Sequence, residues 1–146
     1  MNAPLQLERY VFTKLEIEAN PDYVPQEASS DNPIKLRLDI GLGEHQEDST
    51  KYQVSISIDE LRAEKGSLPY RIALQVVGQF SAAQNFKPDD LKKVVQVNGA
   101  SMLYSAAREL VLLVTSRGPW SAFQLPTISF YQAVTEAAPQ EKSSTQ

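Results

Sequence analysis

The stretch Ile34-Lys35-Leu36-Arg37-Leu38-Asp39-Ile40-Gly41-Leu42 decides the fold. Apolar side chains fall on every second residue, with Lys35, Arg37 and Asp39 between them. A strand turns successive side chains to opposite faces, so this segment has one face for a core and one for water. Tyr52, Val54, Ile56 and Ile58 alternate in the same way with Gln53, Ser55, Ser57 and Asp59. Tyr70, Ile72, Leu74 and Val76 do so with Arg71, Ala73 and Gln75. One-faced alternation favours antiparallel pairing, because parallel strands are covered on both faces and read as continuous apolar runs.

A fourth strand is predicted over about Leu5 to Ile17, with a less regular pattern. Leu5, Leu7, Val11, Leu15 and Ile17 share a parity, whereas Tyr10 and Phe12 take the other. Aromatics on both faces predict a strand whose second face is also covered locally. The turn-rich segments Asn20 to Pro33, Gly43 to Thr50 and Ala63 to Pro69 then connect a four-strand meander.

After Phe80 the period changes. Pro88-Asp89-Asp90 begins a helix, with proline suited to its first turn and acidic residues to the positive end of its dipole. Asn98-Gly99 is expected to interrupt it, and Asn98 or Ser101 to cap a new start. Ser101 to Ser116 is the strongest helix in the chain, ended by Arg117, by Gly118 at a position favouring a left-handed residue, and by Pro119. Met102, Leu103, Ala106, Leu110 and Leu113 form one stripe on it, and Tyr104, Ala107, Val111 and Val114 widen that stripe to an arc of roughly 200°, against roughly 100° for an ordinary surface helix. Such a helix is expected to be covered from two directions, the second cover being another subunit. A short helix is predicted over Ser129 to Ala137. The fold class is therefore α+β: a four-stranded antiparallel sheet followed by a long helix and a short C-terminal helix.

The chain has 146 residues, enough for one domain with a real core. Residues 1–135 are expected to form that domain and the polar residues 136–146 a disordered tail. A net charge of −4, with no cluster of Lys or Arg, argues against a nucleic-acid partner. No cysteine is present, which removes disulfides, thiolate metal sites and cysteine catalysis. Met1 to Arg9 carries neither an apolar h-region nor a basic leader, and the run Leu110 to Val114 is far too short for a membrane span. A cytoplasmic protein without membrane insertion is expected.

Catalytic motifs are scarce. Gly41-Leu42-Gly43 lacks the third glycine and the following helix of a phosphate loop, and reads as a bend near a strand end. The single histidine, His45, lies in the polar connection Gly43 to Asp48 and reads as part of a solvated hairpin loop. No Gly-x-Ser-x-Gly elbow occurs, and Asp89 and Asp90 are accounted for by a helix start. No enzyme activity, metal or cofactor is expected. Arg108-Glu109 is either a surface pair or an interfacial contact. The segment Trp120 to Tyr131 is aromatic without a period, and two readings stand side by side. It is a loop folded over the open end of the sheet, or Trp120, Phe123, Leu125, Ile128, Phe130 and Tyr131 line an apolar groove for extended peptide segments.

Ala107-Arg108-Glu109, Ser116-Arg117-Gly118, Leu125-Pro126 and Phe130 resemble, in order and spacing, the C-terminal half of the SecB export chaperones. Phe12-Thr13-Lys14 and Ile34-Lys35-Leu36 resemble that family's first and second strands, so the similarity covers most of residues 5–134. It implies a homotetramer built as a dimer of dimers with the long helices packed between layers. The interface residues would be Met102, Leu103, Tyr104, Ala107, Leu110, Val111 and Val114. It further implies an ATP-independent holdase for non-native polypeptide, with Trp120, Leu125, Ile128 and Phe130 in its client groove. Ser129 stands where the family has asparagine, and Ser29 to Asn32 lacks the family's tryptophan. The acidic docking surface for the translocase ATPase is matched only by Glu16 and Glu18. These departures point towards the solitary SecB-like branch, some of whose members hold an antitoxin.

Overall fold

The computed structural model describes residues 3–25, 35–62 and 68–137. Four strands, β1 (Leu5–Ala19), β2 (Lys35–Glu44), β3 (Lys51–Arg62) and β4 (Tyr70–Ala82), precede helices α1 (Leu91–Thr115) and α2 (Phe130–Ala137). All strand pairs are antiparallel, in the order β1-β4-β3-β2. This corrects the meander. Only β2, β3 and β4 follow one another across the sheet, while β1 lies beside β4 in a Greek-key arrangement. The connection after β1 is too long for a hairpin, which ordinarily needs about two to five residues, and so leaves β1 free to pair with a strand distant in sequence.

The irregular pattern of β1 has a local cause. Its register against β4 shifts between Leu7 and Arg9 and again between Phe12 and Lys14. Each shift inserts an extra residue, and one extra residue moves everything after it to the other face. Leu7, Tyr10, Phe12, Leu15 and Ile17 therefore pair with Phe80, Gly78, Val76, Leu74 and Ile72, all on one face of β4. The aromatics do not mark a second covered face, as the sequence led us to expect. Two bulges keep β1 one-faced despite its mixed parity.

The core lies between that face and α1. Val54, Ile56 and Ile58 of β3, Ile72, Leu74, Val76 and Phe80 of β4, and Val95, Leu103, Ala107 and Val111 of α1 are almost wholly enclosed. Burial of such side chains contributes roughly 1.5–3 kcal/mol each before the entropy of ordering them is set against it.

Helix α1 is continuous, so Asn98-Gly99 does not interrupt it. A Cβ on Gly99 would lie 2.9 Å from Val54 Cγ2 and 3.3 Å from the Phe80 ring. This glycine offsets its poor helix propensity by letting the backbone lie against the sheet. The helix starts later than the proline suggested: Asp90 is the N-cap, its carboxylate accepting from the Lys93 N–H at 3.4 Å, with Pro88 and Asp89 outside. At the other end Gly118 does not adopt a left-handed conformation. Its role is steric, since a Cβ there would come within 2.8 Å of the Tyr70 ring. Helix α2 ends at Ala137, as predicted, and so overlaps the first two residues of the predicted tail. The rest of that predicted tail lies outside the described residues.

Candidate client-binding site

Between α1 and α2 the crossover, residues 116–129, has no regular structure: it turns over residues 116–120 and then runs irregularly to α2. Two groups of hydrogen bonds hold it, and nearly all of them grip its backbone.

The first group surrounds the end of α1. The Thr115 hydroxyl donates to the Val111 carbonyl at 2.7 Å and accepts from the Phe123 N–H at 2.9 Å. The hydroxyl of Tyr70, the first residue of β4, accepts from the Trp120 N–H at 3.1 Å. Its single proton is shared between the carbonyls of Thr115 and Trp120, at 3.2 and 3.1 Å. Gly118 makes room for this phenol. The indole N–H of Trp120 donates to the Asn20 carbonyl at 3.1 Å, and the Tyr23 ring meets the indole edge to face at 5.1 Å.

The second group sits one helical turn apart on α1. Tyr104 donates to the Pro126 carbonyl, and Arg108 Nε donates to the neighbouring Leu125 carbonyl at 3.2 Å. Burial pushes the Tyr104 phenol up to about 12, against a smaller opposing pull from the Arg108 charge. Arg108 is thus a half-buried clasp for the crossover, while its neighbour Glu109 is exposed. The surface-pair reading therefore does not describe Arg108.

The six residues expected to line a groove divide into three sets. Leu125 and Phe130 point into the core, at 1% and 4% exposure, and the Phe130 ring packs edge to face on Tyr104 at 5.3 Å. Trp120, Phe123 and Ile128 are half-buried, resting on the core with part of each side chain outside. Tyr131 lies outside on α2 with Lys93 Nζ 4.7 Å over its ring. The segment is thus a loop anchored in the core by Leu125 and Phe130, with its other apolar side chains partly or largely outside.

The residues expected at a subunit interface divide as well. Leu103, Tyr104, Ala107 and Val111 are buried within the chain itself, so they have no surface to offer a partner. Physically, this stripe is the one the sheet claims. Met102 and Leu110 are half-buried and Val114 is 39% exposed, and Leu112 and Leu113 add to that outer surface.

Sequence reasoning missed the residues that hold the crossover, namely Asn20, Tyr23, Tyr70 and Thr115. Thr115 carried a usable signal, being a polar residue in a run of apolar helix positions. It also missed Tyr10 and Leu15, which lie on the core-side face of β1 yet remain largely exposed. Their apparent disagreement in parity concealed that they share a face.

His45 caps its own hairpin. Its Nδ1 accepts from the N–H groups of Glu47 and Asp48 at 3.2 and 3.1 Å. The Thr50 hydroxyl and N–H donate to the Asp48 carboxylate and hold it below the usual range. Among the described residues, no group of three or more acidic or histidine side chains is placed to hold a metal, and no helix is long and apolar enough to cross a membrane.

Comparisons with known proteins agree with this geometry. The chain resembles in fold the SecB-like chaperone Rv1957 of Mycobacterium tuberculosis, solved in complex with a ChAD peptide from the Rv1956 HigA1 antitoxin. The two are 15% identical with a TM-score of 0.64, over 86% of this chain and 91% of that one. A protein of unknown function from Streptococcus agalactiae is similar at 11% identity and a TM-score of 0.51, over 84% and 97% of the two chains. No curated protein matches by sequence. The family model described as preprotein translocase subunit SecB matches residues 6–141, and with nearly the whole chain covered, this protein belongs to the SecB family.

Proposed function

We propose that this SecB-family chaperone is an ATP-independent holdase that binds apolar segments of non-native polypeptides along the crossover, without enzymatic activity and without a cofactor. One observation carries the reading: the crossover is latched through its backbone. Its carbonyls and amides are taken by Tyr70, Tyr104, Arg108 and Thr115, while Trp120, Phe123 and Ile128 are left half outside. A loop serving only as a cover would bury those side chains. Held this way, they form a surface on which apolar segments leave water with little sequence preference. The reading includes a cytoplasmic homotetramer, a dimer of dimers, whose subunits meet over Met102, Leu110, Leu112, Leu113 and Val114. Several grooves on one assembly would add weak contacts by multivalency.

The decisive experiment is suppression of aggregation of a chemically denatured protein. Trp120→Ala or Phe123→Ser is expected to weaken holding without loss of secondary structure. Equal holding by both variants and the parent would remove the groove from the crossover. Phe130→Ser is unsuitable, because that ring is part of the core. A second reading, a chaperone dedicated to an antitoxin, rests on the Mycobacterium tuberculosis neighbour and its bound antitoxin peptide. A toxin–antitoxin pair encoded beside this chain would favour it. Engagement of the translocase ATPase has only Glu16 and Glu18 in its support.

A further inference from the structure

We infer that Asn20 is a positioning residue for client binding, setting the orientation of the Trp120 indole from the far end of β1; this rests on the groove reading above. Asn20 follows the last residue of β1, and every polar group it has is used. Its N–H donates to the Pro69 carbonyl at 2.8 Å, and its side-chain amide donates to the Leu68 carbonyl at 2.8 Å. Its side-chain oxygen accepts from the Asp22 N–H at 3.0 Å, closing a turn over Pro21. The following proline also restricts Asn20 to extended backbone. Its carbonyl is then left aimed at the crossover, where it accepts from the Trp120 indole at 3.1 Å and from the Tyr23 N–H at 3.3 Å.

Pro69 is followed by Tyr70, whose hydroxyl holds the backbone of Trp120. The bonds therefore close a ring: Asn20 to Leu68 and Pro69, Tyr70 to the Trp120 main chain, and the indole back to Asn20. A tryptophan bound only by its backbone would keep its χ freedom and lose it on gripping a client, a cost that tells against affinity. Here the indole is fixed beforehand by a residue 100 positions away in the chain. Asparagine suits the position because its side chain carries both an N–H donor for Leu68 and an acceptor oxygen for Asp22. Aspartate would keep the turn over Pro21 but set a carboxylate oxygen against the Leu68 carbonyl.

Trp120 is the only tryptophan, so its indole N–H and its fluorescence are single reporters. The test uses the full-length protein and fluorescein-labelled, reduced and carboxymethylated α-lactalbumin as a permanently unfolded probe. In Asn20→Ala, indole N–H exchange is expected to rise about tenfold and probe affinity to fall about fivefold, with circular dichroism unchanged. Unchanged exchange and affinity would overturn the inference. Should Asn20→Ala not fold, Asn20→Asp carries the same readouts with a smaller change. Trp120→Phe removes the indole N–H, and in that background the effect of Asn20→Ala on affinity should vanish. A merely structural residue would cost the same in both backgrounds, which would equally overturn the inference. Failure of the groove reading looks different: Trp120→Ala and Phe123→Ser would bind the probe like the parent, while indole exchange would still report whether Asn20 holds the ring.

Discussion

Along α1, Leu103 and Val111 are fully enclosed, whereas Leu113, of the same chemical kind and on the same helix, is 65% exposed. The enclosed stripe runs through Val95, Gly99, Leu103, Ala107, Val111 and Thr115, the side that faces β3 and β4. The other runs through Met102, Leu110, Leu112, Leu113 and Val114, of which Met102 and Leu110 are half-buried and the last three are exposed among the described residues. The inner stripe includes the small residues Gly99, Ala100 and Ala107, which a close helix–sheet approach requires. The outer one carries larger side chains, with Ala106 the exception. Residue size thus distinguishes a face shaped to a fixed neighbour from one left open.

The comparison can be broken first at its deepest point. Leu103→Ala should cost about 3 kcal/mol in urea unfolding, since the cavity it leaves is closed in by Gly78 and Phe80. A loss below about 1 kcal/mol would show that the inner face is looser than its burial implies. Tyr70→Phe removes the phenol oxygen that accepts from Trp120 and should cost about 1–2 kcal/mol, with increased quenching of Trp120 fluorescence. Unchanged quenching would mean that the crossover is held without it.

Tyr104→Phe should cost about 1 kcal/mol and also alter the alkaline limb of stability. The native phenol keeps its proton up to about pH 12, whereas the unfolded chain releases it near pH 10. Between those values the unfolded state binds fewer protons, so stability falls as pH rises. That fall should be shallower in the phenylalanine variant. The smallest effect on the fold is expected outside. If the proposed tetramer forms, Leu113→Glu should leave far-ultraviolet circular dichroism unaltered while the mass from light scattering falls from about four times 16.2 kDa to a smaller assembly. An unchanged mass would remove Leu113 from any subunit contact.

Strand positions were legible because period-two alternation depends only on local geometry, and β2, β3 and β4 follow it closely. The candidate site was half legible. Its aromatic residues stood out, but Leu125 and Phe130 could not be told from Trp120 and Phe123, since apolar side chains that anchor a loop and those it presents are chemically alike. Asn20 and Tyr70 gave almost no sign, because a hydrogen bond to a distant backbone group leaves no spacing pattern.

The sequence by itself determined the element order, the one-faced strands β2, β3 and β4, the surplus of apolar surface on α1 and the family signature. Tertiary structure alone decided that β1 joins β4, that two bulges reconcile its mixed parity, which stripe of α1 meets the sheet, and which aromatics stay outside. The division follows from range. Periodicity and capping act between near neighbours and are written in consecutive residues, whereas register, close approach and enclosure depend on which distant surfaces meet.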